Sequence, residues 1–207
     1  LIENFRTGVL DRLGFPVARL HELNPRLVIL SITGFGHDGP EGGRPGYDQI
    51  AQGEAGLMSL TGPSPDEPYR VGASIADLLA GIHGAFGVLA ALFERERTGR
   101  GKVVRTSLLA SVVGIHSYHG TAWTVGRTVP KANGNHHSSI APYGAFRCAD
   151  GMIQLAVAND GQWRKVAELL GIDPDQPKYA TNRDRLIHRD ELIADIEKAL
   201  AAHDRAH

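Results

Sequence analysis

The sequence predicts an α/β protein with a parallel sheet, followed by a smaller unit of mixed strands and helices. Strand-like runs at Leu1 to Phe5 and Leu27 to Thr33 flank two helical patterns, and this alternation indicates a βαβ unit. A long apolar helical pattern over residues 73–99 leads into a third strand, Val103 to Leu108. After residue 126 the composition becomes polar and a hairpin signal follows, which predicts the second unit.

The remaining elements of the first unit follow from residue spacing and end signals. Helices are predicted at Thr7 to Leu13 and at Pro16 to Leu23, where the proline suits the first turn. Residues 34–46 contain six glycines and two prolines, which predicts a loop. Helical spacing resumes from Tyr47 to Leu60, and residues 61–68 form a turn-rich connector.

The predicted helix over residues 73–99 is the most apolar element. Apolar side chains cover most of its surface, which predicts a buried helix. Gly81, Gly84 and Gly87 lie three residues apart, and each costs about 1 kcal/mol relative to alanine. This cost predicts a smooth strip where another backbone approaches closely. Gly99 suits the C-terminal cap of the helix.

A change in composition predicts how the chain is divided. Helical spacing continues from Leu109 to Gly126, and a long polar loop follows it. Beyond the loop, two strand-like runs flank Ala149-Asp150-Gly151, and helices are predicted at Asp160 to Gly171 and Asn182 to Ala202. We therefore predict a large-domain segment over residues 1–107, a linker helix and connector over 108–130, and a small-domain segment over 131–207.

Composition narrows the possible function classes. The formal net charge is -1 and 42% of the residues are hydrophobic, so we expect a globular protein that binds neither nucleic acid nor a membrane surface. The single cysteine, Cys148, cannot form an internal disulfide, and no secretory leader or long apolar run predicts export or membrane insertion. We expect a cytoplasmic protein. The chain starts without Met and ends inside a helical pattern, so both ends are expected to be cut.

One glycine pattern suggests a dinucleotide site when taken alone. Gly34, Gly36 and Gly39 form G-x-G-x-x-G directly after a predicted strand. In a dinucleotide loop the third glycine opens a helix whose amide groups hold a pyrophosphate. Here Pro40 follows at once, and helical spacing starts only at Tyr47. A nicotinamide or flavin site is therefore not predicted.

Several stretches resemble the motifs of the family III CoA-transferases, which include formyl-CoA and carnitine CoA-transferases and 2-methylacyl-CoA racemases. The matching stretches are ENFRTGVLDRLG, NPRLVILSITGFGHDGP, RPGYDQIAQGEAGLMSLTG, GASIADLLAG and RERTGRGKVV. The resemblance covers most of residues 1–160 and is most specific in the first 107. It implies a large domain on a Rossmann-like core, a smaller α+β domain and an interlocked homodimer. Because family members are longer, it also implies that this chain is an internal segment.

The resemblance assigns a catalytic role to Asp77. The family's nucleophile is the Asp of a G-A-x-x-x-D stretch, which corresponds to Asp77 in GASIADLLAG. Its carboxylate would attack an acyl-CoA thioester and pass through an anhydride and an aspartyl-CoA thioester. An Asp, with a reference pKa of about 3.9, needs no general base at neutral pH, and the helix dipole typically stabilises an anion in the first turn by about 0.3–1 kcal/mol. Without the resemblance, Asp77 would be taken as an ordinary residue at a helix start.

The same resemblance implies a coenzyme A site. Asn4, Phe5, Arg6 and Arg12 match the family's N-F-R-x-G-x-x-x-R stretch, although Thr7 replaces the usual proline. Phe5 would pack against adenine and the arginines would pair with phosphates, whereas without the family both arginines would be ordinary surface charges.

The glycine loop completes the predicted coenzyme A site. Arg44 and Tyr47 are expected to bind the substrate from this loop, and the glycines between Gly34 and Pro40 would give the loop its shape.

Tyr47 favours a transferase over a racemase. Racemases of the family carry G-H-D, with the histidine transferring a proton, whereas this chain has Gly46-Tyr47-Asp48. A phenol, with a reference pKa of about 10, is a poor base at neutral pH. We therefore predict a CoA-transferase that moves coenzyme A between an acyl-CoA and a carboxylic acid, with no permanently bound cofactor. A 2-methylacyl-CoA racemase and a non-catalytic binding or dimerisation segment remain alternatives.

The histidines do not form a recognisable metal site. His116 and His119 share a predicted helix face, and His136 and His137 are neighbours in the polar loop, but no familiar zinc spacing completes a ligand set. We predict no bound metal.

The loop NGNHHSSIAP lies where formyl-CoA transferases carry a glycine-rich lid. Because the loop in this chain is more polar and bulkier than that lid, the resemblance does not indicate which acid accepts coenzyme A.

Overall fold

A computed structural model describes residues 1–207, and the chain forms two compact units. The first unit spans Leu1–Ala132 and the second spans Asn133–His207. Residues 108–130, which the sequence assigned to a linker, lie within the first unit. Leu108 and Val112 are buried there beside Ala51, Ala76 and Ala80, so the start of the expected linker is part of a hydrophobic core.

The first unit contains the predicted parallel sheet. Its strands are β1 (Ile2–Glu3), β2 (Ile29–Thr33) and β3 (Val103–Ser107), in that order across the sheet. Both pairings are parallel, with β2 in the middle. Four of the five β2 residues are buried, as expected for a central strand covered on both faces. The α/β class is therefore confirmed.

Helices connect and cover this sheet. They are α1 (Val9–Arg12), α2 (Val17–Leu23), α3 (Asp48–Glu54), α4 (Ile75–Thr98), α5 (Leu108–Gly114) and α6 (Ser117–Thr124). The predicted helix from Tyr47 to Leu60 is divided, because Gly56 takes a left-handed φ of 82° and a short 3-10 helix, Leu57–Leu60, follows. The predicted helix after β3 is also divided, and Ser117 at the start of α6 has a φ of 47°.

One face of α4 packs on the sheet through two of its three spaced glycines. A Cβ atom on Gly84 would lie 2.9 Å from Leu30 Cδ2, and one on Gly87 would lie 2.6 Å from Val104 Cγ1. A Cβ atom on Gly81 would meet nothing within 4 Å. The close neighbour is therefore a layer of sheet side chains and not the backbone that the sequence predicted, and the strip does not extend to Gly81.

The opposite face of α4 is exposed, so the prediction of a buried helix is wrong for this face. Five large apolar side chains at helical spacing are each more than half exposed: Leu78, Ile82, Phe86, Leu89 and Phe93. By length and composition alone α4 could cross a membrane, although the sequence predicted no membrane insertion. One such helix does not by itself indicate a membrane protein, because the core helix of a globular protein meets the same criterion.

The second unit contains a hairpin and three helices. Strands β4 (Tyr143–Cys148) and β5 (Gly151–Ala156) pair antiparallel around the predicted turn. Helices α7 (Asp160–Leu170), α8 (Asn182–Ile187) and α9 (Arg189–Leu200) follow, so the predicted helix over 182–202 is divided at His188. The core of this unit is built on Phe146, Trp163, Tyr179, Leu192 and Ile196, with Cys148 buried beside them.

Candidate active site

A cavity of about 540 Å³ lies at the carboxyl ends of the three parallel strands. Its walls come from the segment after β1, the end of β2, Leu108 after β3, the glycine loop and the first turn of α4. Ligands of α/β proteins bind at this edge of the sheet because the loops after parallel strands meet there. The cavity is therefore the candidate active site.

The structure brings most of the sequence-predicted site residues together. Six of them line the cavity: Asn4, Phe5, Arg6, Arg44, Tyr47 and Asp77. Arg12, the seventh, is exposed in the last turn of α1 and does not line it. The resemblance grouped Arg12 with Arg6, but Arg12 lies six residues further along the chain, and a Cβ atom on Gly8 would lie 3.7 Å from its Nη1 atom.

Asn4 and Phe5 differ in their availability to a ligand. Asn4 Nδ2 donates a hydrogen bond to the carbonyl oxygen of Ile32 at 2.7 Å, which ties the segment after β1 to the end of β2. The Asn4 amide therefore helps to build the wall of the cavity. Phe5 is 46% exposed, so its ring is free to stack against a ligand.

The two arginines of the cavity have different electrostatic surroundings. Arg6 forms no salt bridge, and it also lines a neighbouring cavity of about 180 Å³ that contains Arg105. Arg44 donates to Glu54 through both terminal nitrogens and to Glu41 at 3.1 Å. The hydrogen bonds that Arg44 donates to Glu54 and, to a smaller extent, to Glu41 raise the pKa of Arg44. Arg6 is therefore the cation available to a phosphate, whereas the charge of Arg44 is already matched.

The glycine loop closes on itself at its two ends. A Cβ atom on Gly34 would lie 2.6 Å from the backbone nitrogen of Gly46, and one on Gly46 would lie 2.6 Å from Phe35 Cε2. Only glycine permits this approach. The G-x-G-x-x-G pattern therefore shapes a loop that brings Arg44 and Tyr47 to the cavity, and no helix begins at its third glycine.

Asp77 lies in the first turn of α4 and faces the cavity. Its carboxylate accepts no hydrogen bond and forms no salt bridge, so both oxygens are free to react. Desolvation and, to a smaller extent, the negative charge of Asp48 raise the pKa of Asp77. This direction is opposite to the effect expected from the helix dipole alone. The like charge of Asp48 opposes the dipole at this position.

Two residues beside Asp77 were missed by the sequence reasoning. Asp48 and Gln52 lie one turn apart on α3 and are hydrogen-bonded to each other at 2.7 Å. The signal in the sequence is a pair of polar residues, Asp48 and Gln52, four positions apart and therefore on one helix face, directly after the glycine loop. As for metals, no group of three or more His, Cys, Asp or Glu side chains is arranged to hold an ion.

The fold and the cavity define an α/β unit whose cavity presents a free carboxylate and an unpaired arginine. The family model for CoA-transferase family III matches residues 1–207, and the chain belongs to this family.

Individual relatives agree with this assignment. The chain is 36% identical to the acetyl-CoA:oxalate CoA-transferase of Acetobacter aceti, over 100% of this chain and 54% of that protein. It is 38% identical to the succinate–glutarate CoA-transferase of Agrobacterium fabrum, over 93% of this chain and 48% of that protein. A CAIB/BAIF family protein from Brucella suis superimposes with a TM-score of 0.87 and 37% identity, over 99% of this chain and 55% of that one. The chain thus spans about half the length of these relatives.

Proposed function

We propose that the protein is an acyl-CoA:carboxylate CoA-transferase that acts through Asp77. The observation that carries the proposal is the Asp77 carboxylate, which has no hydrogen-bond partner and faces a cavity that also presents the unpaired Arg6. Membership of the family and the names of the relatives support the same reaction class.

The proposed reaction uses the carboxylate as a nucleophile in two exchanges. An Asp77 oxygen attacks the thioester carbonyl of the donor, the carbon–sulfur bond breaks, and coenzyme A leaves as a thiolate. The thiolate then attacks the Asp77 carbonyl of the anhydride, which releases the donor acid and leaves an aspartyl-CoA thioester. The acceptor carboxylate attacks this thioester to form a second anhydride, and the thiolate takes the acceptor acyl group, which regenerates Asp77.

The cavity offers suitable groups for the coenzyme. Arg6 would pair with a phosphate and Phe5 would stack on an apolar or aromatic part of the substrate. Coenzyme A enters as part of the substrate, and no resident cofactor is proposed. The names of the relatives make oxalate and glutarate the first acceptor acids to test.

The family also supports proposals about the whole protein. We propose an interlocked homodimer, a cytoplasmic location and a large and a small domain, with acyl-CoA and a carboxylic acid as the binding partners. A racemase is disfavoured because Tyr47 lines the cavity at the position where racemases carry a histidine. A non-catalytic binding segment is disfavoured by the free carboxylate of Asp77.

Covalent trapping tests the proposed nucleophile. The natural polypeptide that contains this chain is incubated with acyl-CoA and then with hydroxylamine or borohydride, and the modified residue is located by peptide mass spectrometry. Modification at Asp77 is expected. The variant Asp77→Asn is expected to lose turnover and trapping but to keep coenzyme A binding, whereas the exposed Asp66→Asn serves as a matched control.

Two outcomes would contradict the proposal. Retention of more than a trace of activity in Asp77→Asn would show that another group is the nucleophile. Exchange of the α-proton of a 2-methylacyl-CoA with deuterated water, without transfer of coenzyme A, would instead establish a racemase.

A further inference from the structure

The first turn of α4 is capped by a residue from another helix. The backbone nitrogen of Ala76 donates to Asp48 Oδ1 at 2.7 Å, and that of Asp77 donates to the same oxygen at 3.4 Å. Ser74, at the N-cap position, makes no side-chain hydrogen bond to the helix. Because the first amide groups of a helix lack intrahelical partners, Asp48 supplies the cap that Ser74 does not.

Gln52 fixes the orientation of the Asp48 carboxylate. Gln52 is fully buried, its Nε2 atom donates to Asp48 Oδ2 at 2.7 Å, and its Oε1 atom accepts from the backbone nitrogen of Val71 at 2.8 Å. Val71 belongs to the segment that enters α4. One buried amide therefore joins α3, the capping carboxylate and the entry to the helix of Asp77.

We propose that Asp48 and Gln52 are positioning residues that hold Asp77 in place for nucleophilic attack. The proposal rests on the proposed function. The Asp77 side chain makes no hydrogen bond of its own, so its position depends on the backbone of the first turn of α4. Helix ends fray most readily, and a reacting group must be held within about 0.5 Å of its productive position. The Asp48 cap, oriented by Gln52, supplies this constraint.

The hydrogen-bond directions in this cluster permit only one arrangement. A carboxylate at residue 48 offers acceptors only, so the Gln52 amide must direct Nε2 toward Asp48 and Oε1 toward the Val71 nitrogen. With Asp48→Asn, an oxygen can still cap α4, but the new amide nitrogen then faces Gln52 Nε2, and two donors meet. With Gln52→Glu, two carboxylates face each other in a buried position. Each single substitution therefore breaks the cluster.

The double substitution restores the pattern with the charge exchanged. In Asp48→Asn/Gln52→Glu, the oxygen of the amide at residue 48 caps α4, and its nitrogen donates to the carboxylate at residue 52. The second oxygen at residue 52 accepts from the Val71 nitrogen. The total charge is unchanged, and every donor has an acceptor. The only loss is the long hydrogen bond that Gln52 Nε2 donates to the carbonyl oxygen of Val71 at 3.5 Å. A positioning role therefore predicts that the pair of substitutions recovers what each single one loses.

The test measures the rate of covalent trapping at Asp77 separately from binding. The natural polypeptide containing this chain is mixed with saturating acyl-CoA, and the single-turnover rate of modification at Asp77 is followed with hydroxylamine. Each single variant is expected to trap at least about tenfold more slowly, because an unsatisfied buried group misplaces the helix start, while Kd for coenzyme A stays within about threefold. The double variant is expected to recover most of the rate, and Asp66→Asn to match the wild type.

The outcomes separate this inference from the proposed function. Trapping in the single variants at the wild-type rate would overturn the positioning role and leave the nucleophile assignment intact. If the single variants fold, a folded double variant that traps no faster than they do would also overturn the positioning role. If the single variants do not fold, a folded double variant that does not trap at Asp77 would overturn it. Absence of trapping at Asp77 in the wild-type protein would overturn the proposed function and this role with it.

Discussion

Arg44 and Glu54 form a bidentate ion pair that joins the glycine loop to the end of α3. Arg44 donates to both carboxylate oxygens of Glu54, and its guanidinium lies 4.3 Å from the centre of the Phe35 ring. Both side chains of the ion pair are partly exposed. The sequence predicted that Arg44 binds the substrate, and the structure places it at the cavity with its charge already engaged.

We therefore expect Arg44→Ala to weaken all ligands of the cavity to a similar degree. The loss removes support from the loop that carries Tyr47, and it does not remove a phosphate partner. Isothermal titration with coenzyme A, dephospho-coenzyme A and a pantetheine-only analogue measures this effect. A loss confined to the phosphate-bearing ligands would show that Arg44 leaves Glu54 to bind phosphate.

Arg6→Ala is expected to have a selective effect on the same ligands. Arg6 has no salt-bridge partner, so a phosphate would gain a charge-assisted bond worth about 1.5–3 kcal/mol, or about 12- to 140-fold in affinity. Affinity for coenzyme A should fall by that factor, and affinity for the pantetheine-only analogue should fall much less. Equal losses for every ligand would argue that Arg6 supports the cavity wall only.

Asp77→Asn is expected to stabilise the fold at neutral pH. The pKa of Asp77 is raised in the folded state, so the folded protein binds this proton more tightly than the unfolded chain, and ionisation of Asp77 lowers the free energy of unfolding. The penalty is absent below the ordinary Asp pKa of 3.8, grows as the pH rises toward the raised value and is complete above it.

Thermal melting at two pH values checks this expectation. Asp77→Asn should have a higher Tm than the wild type at pH 7, and the difference should vanish below the ordinary Asp pKa. A lower Tm at pH 7 would mean that the helix dipole dominates at this position after all. Asp66→Asn is the control for loss of a negative charge elsewhere.

Gly81→Ala and Gly87→Ala are expected to change stability in opposite directions. An added methyl at residue 87 meets Val104, whose branched side chain is stiff, and the overpacking cost of about 1–3 kcal/mol exceeds the gain in helix propensity of about 1 kcal/mol. At residue 81 the space is open, so only the propensity gain remains. Urea denaturation of both variants measures the difference. Destabilisation by Gly81→Ala in the natural polypeptide would reveal a close neighbour at that position.

Residues 1–207 expressed alone are expected to self-associate or aggregate through α4. Phe86 is 76% exposed and Phe93 is 74% exposed, and they lie on the same face as three other large apolar side chains. The double substitution Phe86→Gln/Phe93→Gln should increase the monomeric fraction in size-exclusion chromatography with light scattering. A monomeric wild-type chain with cooperative melting and micromolar affinity for coenzyme A would contradict this expectation.

The sequence by itself was sufficient for the elements whose signals are local. A short apolar run predicted strand β2, and apolar residues at helical spacing predicted α4. Each of these signals lies within the element that it predicts. Gly99 caps the C-terminus of α4 as predicted, in a left-handed conformation with a φ of 71°. The parallel sheet could also be predicted, because alternating strands and helices permit few connections. The family motifs identified Asp77 and the segment after β1, which the structure brings to one cavity.

Only the tertiary structure decided which partners these residues have. Asp48 caps the turn that carries Asp77, with its acceptor 28 positions before Ala76 in the sequence, and the charge of Arg44 is paired with that of Glu54. Arg12 lies outside the cavity, and one face of α4 is exposed although its composition predicted burial. Periodicity and end signals describe a residue and its near neighbours along the chain. They contain no information on which distant side chain will lie within hydrogen-bond distance, because packing of whole elements against each other determines that.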